Sequence, residues 1–160
     1  MSEIGEAIQQ KCLAFGDRII KLNDYLLQQA SLPKSDGGSQ KPEVGRWSKR
    51  QPSYVRHQTC RIPVHLQAIA TLCNQLLRAG TSIGANNAEA TNAISKADFK
   101  SKSFIALKEA RESLYWLDLL HRNNYLTDAQ YQSIYSDCEE LVKVLVHRLK
   151  KLGDQGEDKK

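Results

Sequence analysis

Apolar residues recur every three or four positions through most of the 160-residue chain, the spacing that places them on one face of an α-helix. Similar stripes occur at residues 4–29, 66–90, 99–121 and 131–152. In the first, the repeated residues are Ile8, Cys12, Phe15, Ile19, Leu22 and Leu26. The pattern therefore predicts four long amphipathic helices.

Capping signals mark the ends of the last two predicted helices. Ser95 precedes the third helix and Asp98 lies in its first turn, where a side-chain acceptor and a negative charge are favourable. This helix is expected to end near Asn123, and Thr127 followed by Gln130 forms a capping box for the fourth. The short connections favour antiparallel packing of consecutive helices.

The segment of residues 31–63 interrupts the helical pattern. It contains all four prolines and a Gly-Gly pair, and it shows no apolar period. We therefore predict one all-α domain at residues 1–152, an up-and-down antiparallel four-helix bundle with a long basic insertion between helices 1 and 2. Residues 153–160 are predicted to be a disordered tail. The long insertion also permits a crossover between helices 1 and 2, which leaves the topology open.

The net charge of +5 comes from the insertion, because the remainder of the chain has equal numbers of cations and acids. Between residues 34 and 65 the cations are Lys34, Lys41, Arg46, Lys49, Arg50, Arg56 and Arg61. Trp47 and Tyr54 lie among them, a composition that suits phosphate contacts combined with stacking on unpaired bases. Binding of RNA or DNA is the favoured interpretation of this segment. A tether for an acidic partner protein and a merely solvated loop stay open.

Metal and catalytic chemistry find little support in the sequence. No Glu-x-x-His pair of the kind used by di-iron bundles occurs. Glu89, Glu109 and Glu112 lie near the cations Arg78, Lys102, Lys108 and Arg111, so ion pairs are expected there rather than metal ligation. The four histidines stand at no motif spacing. We predict a non-enzymatic protein without metal or cofactor.

The cysteines and the hydropathy indicate a cytoplasmic setting. Cys12, Cys73 and Cys138 occupy apolar stripes, Cys60 lies in the insertion, and no Cys-x-x-Cys motif occurs. No uninterrupted apolar run is long enough to cross a membrane. We expect a soluble protein of the reducing cytoplasm without a membrane partner.

Three segments resemble a known family. They are residues 81–90 (TSIGANNAEA), 95–99 (SKADF) and 105–112 (IALKEARE). Together they resemble the four-helix-bundle proteins encoded within 23S rRNA intervening sequences. The resemblance extends over residues 76–120 and more loosely into the fourth helix, whereas the first helix matches only in pattern.

The resemblance implies a homo-oligomer, a barrel-like pentamer, with a positively charged surface suspected of binding nucleic acid. The family is also similar to the accessory variability proteins of diversity-generating retroelements, which bind a reverse transcriptase and its RNA. An accessory subunit of that kind is the alternative function. Family members usually join the first two helices by a short loop, so the resemblance does not cover the insertion.

Small and polar residues in the second helix are candidates for an interface within the bundle or between subunits. Gly80 and Gly84 would each cost a helix about 1 kcal/mol relative to alanine, which suggests that a neighbouring backbone packs closely against them. Asn87 occupies a stripe position, where a buried polar residue often fixes register. Asn86 and Glu89 are expected to cap or to bridge helices or subunits.

Overall fold

The computed structural model describes residues 3–31 and 64–154, which form four α-helices. These are α1 (Glu3–Ser31), α2 (Val64–Thr91), α3 (Lys96–Arg122) and α4 (Asp128–Asp154). The described residues contain no β-strand. The predicted all-α class and the four predicted helices are confirmed.

The helices form a closed up-and-down bundle. Each helix packs against the next in sequence, and α4 packs against α1. Ile19 and Cys12 of α1 approach Gly80 and Gly84 of α2 respectively, so these two helices run antiparallel. A crossover that would make them parallel is therefore excluded.

The core consists of the apolar stripes that the sequence predicts. Buried side chains from all four helices form one continuous cluster, which includes Phe15, Ile19, Ile69, Ile83, Leu117, Leu120, Leu141 and Leu145. The thiols of Cys12, Cys73 and Cys138 are also buried, as expected. Burial raises the pKa of Cys12 and Cys73 to about 11 and that of Cys138 to about 12. These thiols therefore stay protonated at neutral pH and act as small core residues.

The predicted caps form hydrogen bonds. The Ser95 Oγ atom accepts from the Asp98 backbone N–H at 3.1 Å. At the start of α4, the Thr127 N–H donates to Gln130 Oε1 at 3.0 Å, and the Gln130 N–H donates to Thr127 Oγ1 at 3.3 Å. These bonds satisfy donors that the first turn of a helix leaves free, and they fix where α3 and α4 begin.

Gly80 of α2 packs tightly against α1. A Cβ atom at this position would lie 3.0 Å from Ile19 Cγ1, whereas one at Gly84 would lie 3.4 Å from Cys12 Cβ, an ordinary contact. The predicted close packing is thus present at Gly80. The atoms it meets belong to the Ile19 side chain, however, and not to a neighbouring backbone.

Candidate functional site

Five exposed side chains follow one line along the outside of α3. Their spacing of four, three, four and seven residues keeps them within a narrow strip at 3.6 residues per turn. We call this line the α3 outer stripe, and its members are Phe104, Lys108, Arg111, Tyr115 and Arg122. Cations and aromatic rings therefore share a surface that points away from the core.

The three cations of the α3 outer stripe have no acidic partner within residues 3–31 and 64–154. Lys108, Arg111 and Arg122 are exposed, and none forms an ion pair or hydrogen bond with a described residue. The helix as a whole has six cations and four acids, whereas α1 and α4 each have one more acid than cations. Positive charge in the described bundle is therefore concentrated on α3.

The nearby acids contact neighbouring helices instead. Glu112 Oε1 accepts from Arg78 of α2 at 2.8 Å and from the Trp116 ring N–H at 3.2 Å. Asp118 Oδ1 accepts from the Tyr131 hydroxyl of α4 at 2.6 Å. Glu112 lies at the side of α3, whereas Asp118 lies on the line of the stripe between Tyr115 and Arg122. Because three cations share this line with one acid, the outer face keeps a net positive charge.

The two aromatic members of the stripe are largely exposed and do not belong to the core. Phe104 is 58 % exposed and Tyr115 is 57 % exposed. Trp116, which is half-buried, meets the Tyr115 ring edge-on, with centroids 4.9 Å apart and planes at 71°. This contact braces Tyr115 at the surface. Both Phe104 and Tyr115 offer apolar ring surface to a ligand that can stack.

The ion pairs expected for the glutamates are partly confirmed. Lys102 pairs with Glu89 across α2 and α3, and Arg78 pairs with Glu112. Lys108 and Arg111, which were expected to join them, do not. Their positions on α3 turn them outward, away from the α2 side where the glutamates lie.

A second exposed surface lies on α1 and includes large apolar side chains. Leu13 is 51 % exposed and Ile20 is 46 % exposed, seven residues apart on one flank of the helix. Gly16 lies between them, and no atom would meet a Cβ there within 4 Å. Leu27, half-buried, continues the line. Asp17 and Asp24, both exposed, follow the same spacing, so apolar side chains alternate with acids along this flank.

A polar network joins all four helices inside the bundle. Asn87 is fully buried, its side-chain N–H₂ donates to Gln9 Oε1 at 2.5 Å, and its Oδ1 accepts from the Arg148 guanidinium at 2.6 Å. The guanidinium carbon also lies 5.5 Å from the centre of the Phe99 ring. Burial lowers the pKa of Arg148, which has no acidic partner among the described residues.

The remaining residues predicted for an interface have varied surroundings. Glu89 bridges α2 to α3 through Lys102, whereas the Asn86 side chain donates to the Ser82 carbonyl of its own helix at 2.8 Å. Asn86 therefore neither caps a helix nor bridges two helices within one chain. A role of these residues between subunits stays a prediction.

A cluster of titratable side chains holds the turn between α3 and α4. His121 Nε2 lies 2.8 Å from Asp128 Oδ1, and the His121 ring stacks on Tyr131 with centroids 4.2 Å apart. Burial and the hydrogen bond to Asp118 raise the pKa of Tyr131. A neutral tyrosine donating to a carboxylate is a stable link between helices, and its arrangement serves the hairpin rather than proton transfer.

Residues 3–31 and 64–154 contain neither a cluster suited to a metal ion nor a membrane-spanning helix. No three His, Cys, Asp or Glu side chains converge there on a point that would hold a metal ion. None of the helices in these two ranges is both long and apolar enough to cross a membrane. In this part of the chain, the exposed surfaces of α3 and α1 are the stronger candidates for function.

Seven residues predicted to bind nucleic acid lie outside the described residues. They are Arg46, Trp47, Lys49, Arg50, Tyr54, Arg56 and Arg61. The structure brings together a second set of cations and rings that the sequence reasoning missed. The signal was present as the repeat of Phe104, Lys108, Arg111 and Tyr115 opposite the apolar stripe of α3.

Comparisons with known proteins identify related sequences and structures. The family described as 23S rRNA-intervening sequence protein matches residues 58–147. The crystal structure of a protein of unknown function from the S23 ribosomal protein family of Bacteroides thetaiotaomicron VPI-5482 is 34 % identical, with a TM-score of 0.67. The match covers 92 % of this chain and 98 % of that one. Among curated proteins, none matches.

Proposed function

The chain belongs to the 23S rRNA-intervening sequence protein family, and from this premise we propose that it is a non-enzymatic, homo-oligomeric nucleic-acid-binding protein. Binding would use the basic segment between Lys34 and Arg61 together with the basic surface of α3. The observation that carries the proposal is the α3 outer stripe, whose cations are exposed and have no acidic partner among the described residues.

Unpaired cations matter because a nucleic acid is held mainly through its phosphates. Each phosphate neutralised by Lys or Arg releases a condensed counterion, which is the main source of non-specific affinity. A cation already matched to a carboxylate contributes less, since the acid must be displaced or remain near the phosphate. Lys108, Arg111 and Arg122 carry no such cost.

Self-association would use the flank of α1 that contains Leu13 and Ile20. Exposed leucine and isoleucine in a line are unfavourable in water and mark contact surfaces when they are contiguous. Leu13 and Ile20, with Gly16 between them, allow another helix to approach closely. In a closed ring, each copy would present its basic segment and its α3 outer stripe, so weak contacts would gain through multivalency.

The same flank supports a second candidate function. If it binds a different protein, the chain would be an accessory subunit that docks onto a reverse transcriptase and its RNA. Solution mass of the intact protein and of a Leu13→Asp/Ile20→Asp variant separates the two. Dissociation of an oligomer by the substitutions supports self-association, whereas an unchanged mass leaves the flank to another protein.

Nucleic-acid binding is tested with labelled single-stranded RNA, single-stranded DNA and duplex DNA over a salt series. The comparison is between the intact protein and a full-length variant in which Arg46, Lys49, Arg50 and Arg56 are alanine. We expect binding that weakens with salt, and a log-log slope that is flatter in the variant by about 0.7 to 0.9 for each phosphate that the variant no longer neutralises. Absence of binding at about 50 mM salt would refute the proposal.

A further inference from the structure

The α3 outer stripe has the composition of a surface for unpaired bases. Its two rings, Phe104 and Tyr115, are eleven residues apart and therefore about 16 Å apart along the helix axis. Lys108 and Arg111 lie between them on the same line. The order of side chains along the helix is thus ring, cation, cation, ring, with Arg122 about 10 Å beyond the second ring.

Duplex nucleic acid makes poor use of this arrangement. In a duplex the flat faces of the bases are covered by their neighbours, so an exposed ring meets only sugar, phosphate or base edges unless the stack opens. A helix that reads base edges in the major groove relies on arginine, lysine, asparagine and glutamine. The stripe contains no asparagine or glutamine, and two of its five positions are aromatic.

A second copy of this chain is also a poor occupant of the stripe. Two-fold packing of one α3 outer face on another would bring Lys108, Arg111 and Arg122 of both copies together. The one acid that follows the same spacing, Asp118, accepts a hydrogen bond from Tyr131 of α4, so each copy would still bring an excess of positive charge and the two faces would repel each other. A polyanion complements the charge of this surface, and one with exposed flat bases also complements its rings.

Resting on the proposed function above, we propose that the outer face of α3 binds single-stranded nucleic acid, with unpaired bases stacking on Phe104 and Tyr115. Lys108 and Arg111 hold the phosphates between those bases, and Arg122 extends the contact toward the α3–α4 turn. The separation of the rings equals about five nucleotides at the roughly 3.4 Å rise of a stacked strand. The site therefore takes a short single strand, and RNA and DNA share the recognising chemistry.

The test replaces the rings without altering charge. Full-length Phe104→Leu/Tyr115→Leu is compared with the intact protein for binding of labelled oligouridine and oligothymidine of about 12 nucleotides, a length that one single-strand site accommodates, and of a duplex of matched length. The control is Tyr25→Leu/Ile94→Ala, which removes an exposed ring and exposed apolar surface that belong neither to the α3 outer stripe nor to the flank of α1 that contains Leu13 and Ile20. Circular dichroism confirms that the variants keep their helical content.

Stacking is worth about 1–3 kcal/mol per base, so we expect the ring variant to bind single strands at least tenfold more weakly. The slope against salt and the affinity for duplex should not change, since the cations remain. If the protein prefers oligouridine or oligothymidine, that preference shows whether the site favours RNA or DNA, and either result supports the site.

Different failures identify different errors. If the ring variant binds single strands as well as the intact protein does, or weakens single-strand and duplex binding equally, the single-strand inference is overturned while the proposed function stands. If polyglutamate of equal charge competes as well as the oligonucleotide does and ring replacement has no effect, the face binds acidic protein. If the intact protein binds no nucleic acid, the proposed function itself fails.

Discussion

The outer face of α3 and the seam between α1 and α4 contain similar numbers of cations in opposite states. Along the seam, Lys11 lies 2.5 Å from Glu140, and Arg18 pairs with Asp137. On α3, Lys108 and Arg111 pair with no acid of the described helices. The cations of the seam are therefore neutralised by paired acids, whereas Lys108 and Arg111 on the outer face of α3 have no such partner among the described residues.

The seam pairs close the bundle at modest energy. All four side chains are about half exposed, and exposed ion pairs contribute roughly 0.2–1 kcal/mol each. Lys11 and Arg18 are nevertheless paired, so a phosphate would have to compete with the carboxylates of Glu140 and Asp137. Pairing, rather than the number of cations, therefore decides which face of this bundle attracts a polyanion.

The largest expected effect comes from removing the free charge. Lys108→Ala/Arg111→Ala should flatten the salt dependence of single-strand binding by about 1.4 and weaken binding about 25-fold at 0.1 M salt, since two phosphates are no longer neutralised. The control, Lys11→Ala/Arg18→Ala, removes the same net charge from the seam. Fluorescence anisotropy over a salt series measures both, and equal weakening in the two variants would show that net charge matters and pairing does not.

Arg148 represents a third state of a cation, half-buried and held by an amide. Asn87→Ala removes the acceptor for its guanidinium and the donor to Gln9, so the guanidinium and the Gln9 Oε1 atom each lose a hydrogen-bond partner. We expect the free energy of unfolding to fall by about 1.5 kcal/mol in chemical denaturation. Asn86→Ala is the matched control, because that amide bonds only within α2. Equal stability of the two variants would contradict a structural role for the network.

These contrasts show how far the sequence alone can predict this molecule. Helices, caps and core residues follow from local spacing, which is why Ser95, the Thr127 capping box and the buried cysteines were predicted correctly. The state of each cation depends on the register between helices, which local spacing does not contain. Lys108 and Arg111 were therefore expected in ion pairs that only Lys102 and Arg78 form.

The candidate site also combines features that the sequence shows with features that depend on how the helices pack. The repeat of Phe104 and Tyr115 with the cations between them is visible in the sequence, but its exposure depends on the packing of the opposite face of α3 between α2 and α4. Arg148 gave no signal, because its neighbours Lys150 and Lys151 make that stretch resemble a solvated surface. A long side chain reaches inward there to an amide on a distant helix.

The smallest expected effect comes from removing one paired cation, and it tests whether pairing decides which cations bind a phosphate. Lys143 lies 3.6 Å from Glu139 one helical turn away, and the pair is highly exposed. Lys143→Ala should cost only about 0.3 kcal/mol of stability. It should also leave single-strand affinity unchanged, whereas Lys108→Ala, which removes the same charge from another exposed helix position, should weaken binding about fivefold at 0.1 M salt. Both lysines have a glutamate one helical turn away, but Glu139 pairs with Lys143 whereas Glu112 pairs with Arg78 instead of Lys108. Equal weakening by the two substitutions would therefore mean that so weak a pair does not shield a cation from a phosphate. In that case position around the bundle, rather than pairing, would have to explain any preference for α3.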